Sequence, residues 1–401
     1  MIKVLKNTKG DKVIWVVVIL LSIFSLLAVY SSTGTLAYKK QGGNTEYYLI
    51  KHFFILLFGF GLMYLTHLVK YTYYSRLSQI GLILTVPLLL LTLISGTNLN
   101  EASRWLTVPI INLTFQSSDV AKLFLIMFVA RVLSKKQEEI KDFKKGFLPV
   151  ILPVIVICGL ILPANFSTAA ILFVTCLVLM FIGRISLKYI FSLIGLGIIC
   201  IVLIFAVAKM VPNIMPRGET WISRVDNFLH KDQASQDANY QVEQAKIAVA
   251  SGGIFCKSPG KSTQRNFLPH PYSDFIFAII VEEYGLVGGG VVLLLYCILF
   301  FRVIRITTKC QGNFGAFLAF GIGLSLVFQA MINMAVAVNL FPVTGQTLPL
   351  ISMGGTSIWF TSISIGIILS VSRRIEIETR DGTEIEILTD TEPQAAAAAS
   401  I

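Results

Sequence analysis

The sequence predicts an all-α polytopic membrane protein with about ten transmembrane helices and a large extracytoplasmic loop between helices 7 and 8. Three observations lead there. The chain has 401 residues, 55% of them hydrophobic and only 14% charged, more apolar surface than a soluble fold of that size can hide. The apolar residues gather into segments long enough to cross a bilayer as helices. The cations between those segments gather in every second loop, all on one side of the membrane, as the positive-inside rule requires.

The basic start MIKVLKNTKGDK, residues 1–12, has no small-residue cleavage site after it and reads as a cytoplasmic segment before a retained first span. The predicted spans are 13–32, 50–69, 79–96, 116–134, 147–163, 167–183, 187–211, 285–304, 314–338 and 350–372. With Lys3, Lys6, Lys9 and Lys12 inside, every later inner loop is basic. Those loops carry Lys70 and Arg76; Arg131, Lys135, Lys136, Lys141, Lys144 and Lys145; Arg184 and Lys188; Arg302, Arg305 and Lys309; and Arg373 and Arg374. Residues 13–372 then form one membrane domain with both termini cytoplasmic. The net charge of +11 is mostly topology and implies no nucleic acid partner. The tail 373–401 alternates Ile and Glu around Asp381 and Gly382, a hairpin pattern that is marginal in isolation, so a disordered tail fits equally. The six cysteines and four histidines show no disulfide or zinc spacing, and no metal-ligating set is predicted.

The outer segment 212–274 breaks the charge pattern with Arg217, Arg224, Lys231, Lys246, Lys257, Lys261 and Arg265. Long loops translocate regardless of charge, and a loop of this length in a compact protein is functional or disordered. Its cations suit an anionic lipid pyrophosphate or anionic headgroups. YQVEQAKIAVAS within it has the pattern of an amphipathic helix on the membrane surface. GKS at 260–262 lacks the first glycine of a nucleotide-binding P-loop, since position 255 is Phe255, and ATP binding is excluded.

Ionisable groups at membrane depth need a reason. Asp119 and Lys122 stand three apart in FQSSDVAKLF and can pair on one helix face, with Arg104 just before them. Gln329 and Asn333, four apart, are placed to tie helices together. The segment NLFPVTGQTLPLISMGGTSIW, 339–359, is predicted to line a cavity as irregular backbone, which makes Gln346, Ser352, Gly354 and Gly355 candidate contacts. Asp274 stands in LPHPYSDFIFAII with no cation at helical spacing on its C-terminal side. Two readings remain open: a helix N-cap, or a carboxylate at the membrane boundary whose pKa is lifted toward that of a general base.

The stretches ASRWLTVP, FQSSDVAKL, ILPANFSTAAIL, QAKIAVASGG, PGKSTQRNFLPHPYSDFIFAIIVEEYGLVG and INMAVAVNLFPVTGQTLPLISMGGTSIW resemble the SEDS family, the FtsW/RodA group of bacterial cell-wall polymerases. The division-type FtsW branch is the nearer one. The resemblance implies a peptidoglycan glycosyltransferase of the bacterial inner membrane acting in septal cell-wall synthesis. Its substrates would be lipid II and the growing lipid-linked glycan strand. Its partners would be a class B penicillin-binding protein that supplies transpeptidation and other divisome proteins. It makes Asp274 the catalytic residue. Arg104, Lys257, Lys261, Ser262, Gln264 and Arg265 become candidates for pyrophosphate contact, with a Mg²⁺ or Mn²⁺ ion as an optional companion of the pyrophosphate. Asn165 and Ser167 depart from the family's usual acid and glycine in ANFSTA. A lipid II flippase and a non-catalytic divisome scaffold are the competing readings.

Overall fold

The computed structural model describes residues 9–99, 102–108, 113–210, 218–229, 236–255 and 257–398. The chain enters the bundle at α1 (Lys12–Ser32), whose N-cap Asp11 accepts hydrogen bonds from the amides of Val13 and Ile14. A short α2 (Gly34–Gln41) leads to α3 (Thr45–Leu68) and α4 (Tyr71–Ser95). Three short strands follow, β1 (Thr97–Leu99), β2 (Ala102–Val108) and β3 (Leu113–Gln116), paired antiparallel in sequence order. Then come α5 (Ser117–Lys135), a π-turn at Phe143–Phe147 that runs into α6 (Leu148–Ile161), α7 (Phe166–Ile182) and α8 (Leu187–Met210). Two amphipathic helices, α9 (Gly218–Leu229) and α10 (Gln236–Gly252), precede α11 (Ile276–Lys309), α12 (Asn313–Ala337) and α13 (Thr356–Ala398).

Among the described residues, eight helices are long and apolar enough to cross a membrane. The shorter α7 and the more charged α5 pack among them against α12, in the places predicted for two further spans. The protein is a predominantly helical, multi-pass membrane protein with one small sheet. Small residues let its helices approach closely: a Cβ on Gly366 of α13 would stand 2.5 Å from the carbonyl oxygen of Met63 in α3. Gly10 N donates to Glu376 at 2.6 Å, and Arg302 pairs with Asp11, so the start of α1, the end of α11 and residue 376 share one end of the bundle. Ser31 and the 257–275 segment lie at the other end.

The structure corrects several boundaries. The third span begins at Tyr71 rather than 79, and the last at Thr356 rather than 350. The stretch 97–116, expected as loop and span start, holds the small sheet. The eighth span begins at Ile276, not 285. Position 285 is instead a break inside it, where Gly285 adopts φ 71° and the helix changes course. Residues 212–274 are not a bare loop. The amphipathic stretch within them packs α10 against α11, burying Ala245 and Ala248. The tail backbone continues as helix to Ala398 instead of turning as a hairpin. An existing helix extends without the nucleation penalty that two isolated strands would face.

Candidate functional site

Asp274 sits where three segments meet: the turn that precedes α11, the last turns of α12, and the irregular backbone between α12 and α13. Polar side chains of α12 hold the two irregular segments. Asn333 Nδ2 donates to the carbonyl of Asp274 at 2.8 Å and to that of Gln346 at 2.6 Å. Gln329 Nε2 donates to the Thr347 carbonyl at 2.9 Å. Ser352 Oγ donates to the Ser273 carbonyl at 2.7 Å, and Met353 N to that of Tyr272 at 2.9 Å. Gln346 Nε2 reaches Thr168 Oγ1 of α7 at 2.8 Å. The irregular backbone is therefore tolerated at this depth because side chains and the facing turn satisfy it. Asn333 ties helix to loop, whereas Gln329 does both: its Nε2 holds the loop and its Oε1 accepts from Lys122 of α5 at 3.1 Å, joining helix to helix as expected.

The Asp274 side chain is half-buried, and Ser273 Oγ donates to its Oδ1 at 2.9 Å. It is not the helix cap. The N-cap position of α11 is Phe275, and no side chain caps that end. His270 and Leu350, on the two segments that meet here, take left-handed backbone with φ 59° and 65°. Such strain in non-glycine residues is held only by over-determining surroundings, and it concentrates at functional sites.

The cation absent from the local sequence arrives through space. Arg224 of α9 donates to the Val343 carbonyl at 3.1 Å and lies within the electrostatic reach of Asp274. Burial pushes its guanidinium pKa down, against the charge of Asp274, which holds it up. Burial first, then Tyr48 and Asp274, raises the Tyr272 phenol. Arg224 opens on a cavity of about 330 Å³ whose walls include Phe166, Ile171, Phe205, Trp221 and Ile332. An apolar volume with one guanidinium at its edge suits a molecule that is part hydrocarbon and part anion. Sequence reasoning counted Arg224 only among the loop's basic residues. The amphipathic spacing of GETWISRVDNFL was the signal that could have set it apart.

A second layer fixes the helix that carries Asp274. Residues 276–284 form a half-helix ended by Gly285, where a Cβ would lie 2.6 Å from the carbonyl oxygen of Ile254. Gly253 and Ser258 satisfy the break: Leu286 N donates to the Gly253 carbonyl at 3.0 Å, and Ser258 N to that of Glu283 at 3.3 Å. Glu282 and Glu283 are fully buried at the end of the half-helix. Glu282 accepts from Thr263 N at 3.1 Å, Thr263 Oγ1 at 2.9 Å, Gln264 N at 3.3 Å and the Ser262 hydroxyl. Glu283 accepts from Ser262 N at 3.3 Å and from the Ser31 hydroxyl. The loop around GKS is thus an anion-binding concavity filled by the protein's own carboxylates.

This arrangement sorts the predicted contacts. Ser262 and the amide of Gln264 are committed to the buried glutamates. Arg265 donates to the Ser31 carbonyl at 3.1 Å, and Lys257 pairs with Glu282 at 3.4 Å. Lys261 is exposed. Gly354 and Gly355 lead into α13, with Gly355 at φ 53°. The side chain of Arg104 lies outside the described residues. Asp119 and Lys122 pair at 2.8 Å, and Lys122 also donates to Gln329 at 3.1 Å, joining the pair to the same network. Asn165, where the family's acid would stand, caps α7 by accepting from Thr168 N at 3.3 Å.

Comparison with known proteins places this arrangement. The family profile described as "Cell cycle protein", covering FtsW, RodA and SpoVE, matches residues 11–377. The chain is 31% identical over 377 residues to the probable peptidoglycan glycosyltransferase FtsW of Trichlorobacter lovleyi, covering 93% of this chain and 96% of the relative. It is 32% identical to stage V sporulation protein E of Bacillus subtilis, covering 92% and 98%. Its fold matches a chain from a solved peptidoglycan synthase complex, studied for the coordination of polymerization and crosslinking, with a TM-score of 0.68 at 23% identity over 91% of this chain and 98% of that one. With the profile spanning nearly the whole chain, the protein belongs to the FtsW/RodA/SpoVE family.

Proposed function

We propose that this chain is a peptidoglycan glycosyltransferase that polymerises lipid II, with Asp274 as its general base. The observation that carries the reading is a half-buried carboxylate within the electrostatic reach of Arg224, whose side chain edges a largely apolar cavity. The names of its relatives agree. In this reading the 4-hydroxyl of the acceptor's GlcNAc attacks the anomeric carbon of the lipid-linked donor strand. The new glycosidic C–O bond forms as the bond to undecaprenyl pyrophosphate breaks. Asp274 takes the hydroxyl proton, a step worth about 10²–10⁴-fold in rate. Arg224 faces the pyrophosphate as negative charge develops on it. A Mg²⁺ or Mn²⁺ ion belongs to this scheme as an optional companion of the lipid pyrophosphate, whose oxygens would supply most of its ligands.

The finer assignments follow from the same reading. The chain works in the bacterial inner membrane with both termini cytoplasmic, in septal synthesis, beside a class B penicillin-binding protein and other divisome proteins. Glycan-strand formation from purified lipid II by the reconstituted protein, with that transpeptidase present and its own active serine replaced, tests the function. Strands appear if the protein is the polymerase. If it is only a scaffold or a flippase, none appear, while partner binding or lipid II transport persists.

A further inference from the structure

At the end of the bundle away from Asp274, two loops of different spans are clasped together. Tyr189 at the start of α8 packs its ring against Phe147 at 4.8 Å and Phe143 at 5.4 Å in the π-turn. Gly183, the C-cap of α7, packs so closely on Leu133 of α5 that a Cβ would lie 2.8 Å from its Cδ2. Segments 135–145 and 184–188 therefore form one surface holding Lys135, Lys136, Lys141, Lys144, Lys145, Arg184 and Lys188 against Glu138, Glu139 and Asp142. The carboxylates are largely engaged: Asp142 accepts from the amides of Lys144 and Lys145, and Glu139 pairs with Lys145 at 2.8 Å. A cationic surplus is left pointing outward.

Arg184 adds an independent observation. α7 ends in a Schellman motif, with Arg184 N bonded to the Phe181 carbonyl and Ile185 N to that of Met180, both at 3.1 Å. The left-handed residue of that motif is usually glycine, because any Cβ is strained there. Here it is Arg184, at φ 66°, with its side chain exposed. The fold would be better served by glycine, so the guanidinium is kept for what it touches. Exposed Phe181, Ile182, Leu187 and Phe143 flank the cations with lipid-facing apolar surface. That combination suits a phosphate that arrives attached to acyl chains rather than free in solution.

We infer that this surface binds the phosphate headgroup of an anionic phospholipid of the surrounding bilayer, with Arg184 as its principal contact. The test is thermal unfolding of the delipidated full-length protein in neutral detergent, with added cardiolipin, phosphatidylglycerol, phosphatidylethanolamine or inorganic phosphate. The expected result is a rise in Tm of several degrees with the two anionic lipids and none with the other two. Arg184→Gly is the discriminating variant: without lipid its Tm equals or exceeds that of the parent, and the anionic-lipid shift falls by half or more. Lys141→Gln combined with Lys144→Gln weakens the shift without touching the helix end. Equal shifts from phosphatidylethanolamine, or a full shift retained by Arg184→Gly, would overturn the assignment.

Discussion

Lys122→Ala is expected to be among the most damaging single substitutions away from Asp274, and its size follows from the geometry. Lys122 Nζ lies 2.8 Å from Asp119 Oδ1 and 3.1 Å from Gln329 Oε1, and the two ionic side chains are only 15% and 6% exposed. Asp119 Oδ2 is buried without a partner. Removing the cation leaves an uncompensated carboxylate and frees the amide that holds the Thr347 carbonyl. Breaking a buried pair in this way costs about 3–5 kcal/mol. A cavity of about 30 Å³ beside the pair can admit water, which favours the lower half of that range. Neutralising both residues, Asp119→Asn with Lys122→Met, leaves no orphaned charge and is expected to be milder, with a coupling of about 0.5–3 kcal/mol between the sites. Denaturant unfolding of the purified single and double variants, followed by tryptophan fluorescence, measures it. A double variant no more stable than the worse single one would refute the reasoning.

Other consequences are as specific. Arg224→Ala is expected to lower polymerisation at limiting lipid II by about 10-fold or more, on the basis of about 1.5–3 kcal/mol for a hydrogen bond to a charged group, with Arg224→Lys between the two; unchanged rates would remove Arg224 from the site. Gly285→Ala forces a Cβ to 2.6 Å from the Ile254 oxygen at φ 71°, so folded yield should drop sharply, by about 1–3 kcal/mol of backbone strain before the clash is counted. An impermeant thiol reagent applied to intact cells with a permeabilised outer membrane should label Tyr240→Cys and spare Lys141→Cys; the reverse pattern inverts the topology.

The spans were legible because apolar runs and flanking cations are local signals, and Asp119 with Lys122 was legible because a helix brings positions three apart together. The break at Gly285 was not. Its cause is the backbone of Gly253, Ile254 and Ser258, which reaches it only in three dimensions. Nor was the fate of the GKS loop: Ser262 and Gln264 read as donors for an external phosphate until Glu282 and Glu283 are seen to occupy those donors. Arg224 was hidden for the same reason, since its relation to Asp274 crosses fifty residues of chain. Asp274 itself stood out, but local spacing favoured a helix cap, and only the placement of Phe275 at the helix start removes that reading. The small sheet at 97–116 was masked by the apolar windows on either side of it.

The central claim is that Asp274 carries the proton transfer. Asp274→Asn keeps the size of the side chain and its hydrogen bond from Ser273, and the Asn333 contact is to the backbone, so folding should be untouched. The amide cannot accept the proton. Glycan-strand synthesis from lipid II by the reconstituted Asp274→Asn protein, beside its transpeptidase partner, is therefore predicted to fall by about 10²-fold or more with unfolding and partner binding unchanged. Near-normal synthesis by a well-folded Asp274→Asn protein would contradict the account.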